Sequence, residues 1–251
     1  SGAAMALLGK IYLTFHKWAE ARNVLSQLIG KYSLMTTPDR VFDVNNKMND
    51  EIIFAVRFNK DVEGEGHGYW FSIINLTDDT NQTKSLKECY KDGDKRKNLI
   101  TYVKVEDKVC VMNKFKDVKS ATYNTVGNDQ IILRYADVLL MYAEACAKTN
   151  DVNGANTALK LVRKRAGLAD KTFAQSDLML EIEHQCLLEF FGEGHRFDDL
   201  KRWYTTEEIK NIFTENEKQG AEYFQEKHKY YPIPSGELNN NDAMVQTELW
   251  R

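Results

Sequence analysis

The chain has 251 residues, with 34 lysines and arginines against 37 aspartates and glutamates, for a formal net charge of −3. That length can bury a full core, and the mixed, faintly acidic balance gives no basic footprint for nucleic acid. No apolar run approaches the ~20 residues of a membrane-spanning helix. Ser1-Gly2-Ala3-Ala4-Met5 is not a signal peptide; it runs straight into a helical pattern, so the expectation is a chain trimmed from a longer one. The four cysteines, Cys89, Cys110, Cys146 and Cys186, form no CxxC pair, which argues against a zinc or thioredoxin site. Cys146 and Cys186 sit among apolar helical positions as core residues, and a Cys89–Cys110 disulfide stays open.

Residues 3–29 predict a helix pair. Leu7, Leu8, Ile11, Tyr12 and Phe15 mark the first helix, His16-Lys17 the break, and Trp18, Ala21, Val24, Leu25, Leu28 and Ile29 the second. Small residues Ala4, Gly9 and Ala21 would let the two helices approach closely. EIIFAVRF (51–58) alternates as a strand. A loop over 59–68 follows, with Gly64, Gly66 and Gly68, then Tyr69-Trp70-Phe71 and a polar stretch over 75–85. Val103, Val105, Val109 and Val111 suggest a second β patch. Residues 131–166 repeat the helix-pair plan: Ala21 and Leu25 line up with Ala155 and Leu159, and Thr149-Asn150-Asp151 is the turn. Helix hairpins with small residues at the contact follow the logic of a tetratricopeptide unit. Gly167, after a basic last turn, is the expected C-cap.

Residues 181–203, EIEHQCLLEFFGEGHRFDDLKRW, form a core motif of two helical pieces around Gly192 and Gly194. Its charges admit two readings. Glu193 and His195 could form an acid/base pair; the favoured reading is architectural, with Arg196 paired to a carboxylate such as Glu189 or Asp199. Residues 204–251 complete the chain as a partly helical, partly irregular tail: Tyr230-Tyr231-Pro232-Ile233-Pro234 reads as extended, and residues 235–242 as turn chemistry.

The chemistry-bearing motifs are few. Gly64-Glu65-Gly66-His67-Gly68 lacks the Lys-Ser/Thr of a phosphate loop and offers one His with no metal partner. The run 77–81 lacks EF-hand spacing, and no GxSxG, HExxH or SxxK occurs. The sharpest binding candidate is the aromatic-polar loop. Tyr69 and Trp70 could stack on the C–H face of a sugar ring, while His67, Asn75 and Asp78 bond its hydroxyls. Tyr90, Tyr102, Tyr123 and Tyr204 are weaker candidates on the same logic.

Four segments in order resemble the SusD/RagB family of outer-membrane nutrient-binding lipoproteins. They are the opening helix pair with KWAEARNVLSQLIGKYSL; NDEIIFAVRF (49–58); IILRYADVLLMYAEA (131–145) followed by RKRAGL (163–168); and LEFFGEGHRFDDLKRW (188–203) with YYPIPSGEL (230–238). KDGDKR (91–96) and Lys114-Phe115 also fall where that family tends to have an Asp/Arg turn and a Lys-aromatic pair. The resemblance implies a mostly α fold of tetratricopeptide-like helix pairs, a SusD-like α-α superhelix with a loop-rich region and minor β. The expectation is one domain over 1–251 lacking its N-terminal part: helix-pair repeats at 3–29 and 131–166, a loop-rich insert at 59–130, the core motif at 181–203 and the tail at 204–251. In the motif, Glu189, Gly194, Arg196, Asp199 and Arg202 would be structural.

The resemblance further implies no catalysis, no metal and no cofactor. It implies capture of a glycan or oligosaccharide at the extracellular face of the outer membrane and delivery to a SusC-like TonB-dependent transporter. Membrane attachment would be only through a lipid anchor that these residues do not carry. The chain departs from the family pattern at Glu183-His184-Gln185, at Thr247-Glu248-Leu249-Trp250, and in being about half the usual length. Two alternatives stand beside this reading: a protein-interaction scaffold with no small-molecule site in these residues, or an uptake component for peptides. Glycan hydrolysis, with Glu193 as its carboxylate, has no motif behind it.

Overall fold

The computed structural model describes residues 1–66, 73–75, 88–106, 109–117 and 126–251, with the backbone alone described at 73–75, 102–106 and 109–111. The chain divides into two compact units, Ser1–Gly194 and His195–Arg251.

The first unit opens with helices α1 (Gly2–Thr14) and α2 (Trp18–Ser26). Between them His16 takes a positive φ of 56°, and the Lys17 amide donates back to the Tyr12 carbonyl at 2.8 Å, which reverses the chain. The two helices approach closely because Gly9 faces Leu25: a Cβ on Gly9 would lie 2.5 Å from Leu25 Cδ2. Ala6, Gly9 and Leu13 are the buried residues of α1, facing a unit that also buries Ala21, Leu25 and Leu28. Ala4, expected at the helix contact, is exposed. Leu7, Leu8, Ile11 and Phe15, which mark the helix in the sequence, are exposed as well. Helical periodicity reports a stripe, and here it reports the outward one.

Strand β1 (Ile52–Val56) pairs antiparallel with β5 (Gln130–Arg134), Ile52 opposite Arg134 and Val56 opposite Gln130, with register shifts on either side of Phe54. A second antiparallel sheet has the order β2 (Ile73–Asn75), β4 (Val109–Met112), β3 (Tyr102–Glu106). Between β2 and β3 a 3-10 turn, Lys95–Ile100, is capped by Asp94, whose carboxylate accepts the Arg96 amide at 2.9 Å.

β5 runs directly into α3 (Tyr135–Lys148), which is buried along most of its length because α2, α4 and α5 all pack on it. α4 (Val152–Arg165) begins at Asp151, whose carboxylate accepts the Gly154 amide at 2.9 Å. It ends at Gly167, φ +82°, in a Schellman motif: the Leu168 amide reaches the Arg163 carbonyl at 2.9 Å, and Gly167 reaches Lys164 at 3.0 Å. Ala21, Leu25, Ala155 and Leu159 are all fully buried, so the two hairpins present the same positions to the core. α5 (Gln175–Glu189) packs on α3 and α4 and ends at Gly192 and Gly194, both with positive φ. Cys146 and Cys186 are buried.

The second unit holds α6 (Arg196–Trp203), α7 (Thr206–Glu215) and the short α8 (Ser235–Asn240). Thr205 and Glu208 form a reciprocal capping box at α7. A chain of rings, Phe213–Phe224–His228–Trp250, with centroids 5.2, 5.8 and 5.7 Å apart, gives this unit an aromatic spine. Residues 235–240 were expected as a turn. They wind into α8 because the Pro234 carbonyl accepts amides from both Glu237 and Leu238. The protein is mostly helical with a minor β component.

Candidate functional site

The first unit buries charge, and the groups involved are scattered along the sequence. Arg134 closes β5 and precedes α3. It is fully buried, and each of its five N–H groups has a partner. Nε donates to Glu193 Oε2 at 2.8 Å; one terminal nitrogen donates to Glu51 Oε1 at 2.9 Å and Glu189 Oε1 at 2.7 Å; the other donates to Glu193 Oε1 at 2.7 Å and the Glu189 carbonyl at 3.1 Å. The Phe190 ring lies 4.8 Å from its guanidinium carbon.

Glu189 ends α5 and receives three arginines: Arg134, Arg165, and Arg96 at 3.3 Å. Burial by itself would raise its carboxyl pKa; Arg165, Arg134 and Arg96 together overcome that and hold it far below the usual carboxylate range. Glu51, just before β1, is fully buried between Arg134 and Arg165 and accepts the Met35 amide at 2.8 Å. Arg96 is clamped by both oxygens of Asp94, at 3.0 and 2.7 Å. Lys114 spends its three N–H groups on the Glu189 carbonyl, the Phe191 carbonyl and Glu193 Oε1, at 3.0, 2.9 and 2.5 Å. Burial pulls its pKa down while Glu193 pulls it up, and the resulting direction is down.

Four cations (Arg96, Lys114, Arg134, Arg165) thus face four anions (Glu51, Asp94, Glu189, Glu193), and the formal charge sums to zero. A desolvated charge is tolerated only when it is paired and hydrogen-bonded. The arrangement has no room for a ligand: the cavity beside Tyr90, Arg96, Lys114 and Glu189 measures about 10 Å³, the scale of a single water. It also has no free proton carrier, since both oxygens of Glu193 are held by Lys114 and Arg134. The cluster can lock segments together; general acid/base work needs a carboxyl free to exchange its proton.

The residues singled out in the sequence are distributed as follows. Glu189 is at the centre of the cluster. Gly194 takes φ +84°. Arg196 opens α6, and Asp199 is held by Arg202, one turn along the same helix, at 2.8 Å. The arginines on Glu189 are therefore Arg96, Arg134 and Arg165, where the sequence reading had offered Arg196. The candidate ligand-binding residues His67, Tyr69, Trp70 and Asp78 lie outside the described residues, and Asn75 is described only as backbone at the end of β2. Among the described residues no group of three or more His, Cys, Asp or Glu is arranged to hold a metal ion. No helix among them is long and apolar enough to cross a membrane.

A concavity of ligand size lies elsewhere in the first unit. An open groove of about 470 Å³ is lined by Tyr32, Met35, Tyr135, Leu161, Lys164 and Arg165, among others, within the range of small-molecule sites. Sequence reasoning missed it because its walls come from the segment after α2, the start of α3 and the last turns of α4.

The family model for the SusD family matches residues 80–250. A SusD-like protein of Formosa agariphila is 23% identical over 98% of this chain and 58% of its own length. The crystal structure of a SusD superfamily protein from Bacteroides vulgatus superposes with a TM-score of 0.78 at 25% identity, covering 99% of this chain and 62% of that one. Surface glycan-binding protein A from Bacteroides thetaiotaomicron, in complex with laminarihexaose, matches with a TM-score of 0.72 at 21% identity, covering 96% of this chain and 62% of that one. The chain thus spans about three fifths of the length of these relatives.

Proposed function

Because the chain belongs to the SusD family, we propose that it is part of a non-catalytic glycan-binding protein of the bacterial outer surface, lipid-anchored in its whole form and delivering oligosaccharide to a TonB-dependent transporter. The observation that carries this reading is the fold shared with a glycan-binding protein that holds laminarihexaose. The buried ionic cluster supports the non-catalytic part, since its carboxylates are committed to cations and enclosed away from any ligand-sized space. Sugar contact falls to the loop bearing Tyr69 and Trp70, where ring faces would stack and His67, Asn75 and Asp78 would bond hydroxyls.

Affinity electrophoresis through gels carrying a polysaccharide panel, with a β-1,3-glucan included, tests this. The expected result is retardation by one glycan that is lost in Trp70→Ala. Retardation that survives Trp70→Ala but is lost in Tyr32→Ala would move the site to the groove of the first unit. No retardation by any glycan, with binding of peptides instead, would overturn the ligand class.

A further inference from the structure

Helix α1 is apolar on two opposite sides. Its buried side, with Ala6, Gly9 and Leu13, serves the contacts with α2, α3, β1 and β5. On the other side Ala4, Leu7, Leu8, Ile11 and Phe15 recur at steps of three and four, and at 3.6 residues per turn they fall within an arc of about 100°. Nothing in the first unit covers that arc: Leu7 is 50%, Leu8 39%, Ile11 44% and Phe15 71% exposed. A helix at a protein surface carries one apolar stripe and polar residues opposite, whereas a helix apolar all round is a buried helix.

Two further observations say what belongs there. Stacked helix pairs bury each pair's face on the next, and the outermost pair needs a polar outer face. The α1–α2 pair is the outer one of the two stacked pairs here, and its outward stripe on α1 is apolar. The solved and curated relatives also carry substantial additional sequence, since this chain spans 62% and 58% of two of them. A stripe at three- and four-residue spacing is a ridge that fits the groove of another helix. We infer that the Ala4–Leu7–Leu8–Ile11–Phe15 stripe is the seat of an amphipathic helix from the same, longer polypeptide, stacked on α1 as α1–α2 is stacked on α3–α4.

The double variant Ile11→Glu/Phe15→Glu, placed in the 251-residue chain and in the full-length product of its gene, tests this. In the 251-residue chain the side chains face solvent, so Tm moves by less than about 2 °C. In the full-length protein the same pair buries two carboxylates in a helix interface, and Tm falls by more than about 6 °C. Ile11→Leu/Phe15→Leu restores it. A full-length protein whose Tm ignores the glutamates overturns the inference, and bis-ANS fluorescence guards against a folding failure. Dye binding should be strong for the unmodified 251-residue chain and several-fold weaker for the unmodified full-length protein; equal binding by both is a second overturning result. A dimer of the 251-residue chain that dissociates in the glutamate variant, with full-length protein insensitive to it, assigns the stripe to a second copy and also overturns the inference.

Discussion

Arg134 shows how a single residue can be both costly and necessary. Its guanidinium is fully buried, which only the complete set of five bonds to Glu51, Glu189 and Glu193 makes tolerable. Arg134→Ala strands three carboxylates that still face Arg96, Arg165 and Lys114 but have lost their common partner. The expected loss is about 3–5 kcal/mol, the range for breaking a buried ion pair by removing one side, read as a lower urea midpoint at constant m. Arg134→Lys keeps the charge but offers three donors in place of five, and its midpoint should fall between the two. The sequence could not name these partners. It singled out Glu189 but offered the nearest arginine along the chain, Arg196; the arginines that bind it are 24, 55 and 93 residues away.

At the scale of elements, periodicity gave the helices and glycine chemistry gave their ends. Ala21, Leu25, Ala155 and Leu159 were legible as equivalent contact positions because small and large residues recur at one spacing in both hairpins, and all four are buried. The same periodicity could not tell the inward stripe of α1 from the outward one, since both are apolar and only the neighbouring elements decide. Gly9 is where the inward face is most constrained. Gly9→Ala would place a methyl 2.5 Å from Leu25 Cδ2, so the helix-propensity gain is outweighed by overpacking. The variant should lose about 1–3 kcal/mol. The companion Gly9→Ala/Leu25→Ala should recover part of that loss, measured as a double-mutant cycle by denaturation.

At the scale of the whole molecule, the family resemblance and the buried cluster are one fact seen twice. Glu51 lies in NDEIIFAVRF, Asp94 and Arg96 in KDGDKR, Lys114 in the Lys-aromatic pair, Arg134 in IILRYADVLLMYAEA, Arg165 in RKRAGL, and Glu189 and Glu193 in LEFFGEG. The short segments that carry the likeness are those that meet in the core of the first unit. The aromatic-polar loop sits outside them, so the same sequence that declares its family is silent on its ligand.

Such a core makes stability depend on pH with a definite sign. In the unfolded chain Glu189 titrates near ~4.3; in the folded chain Arg165, Arg134 and Arg96 hold it far lower despite its burial. Between those two values the unfolded state binds more protons, so stability rises with pH through that window. The contribution is fully present above about pH 5 and is lost as pH falls toward the lowered value. The urea midpoint of the unaltered chain should therefore drop steadily from about pH 5 to pH 2.5. Glu189→Gln removes the titrating group, so its midpoint should be lower at pH 7 yet decline less steeply on acidification. Parallel slopes for the two proteins would place the acid sensitivity in other carboxylates, with Glu51 and Glu193, the other two that bond Arg134, next to be replaced.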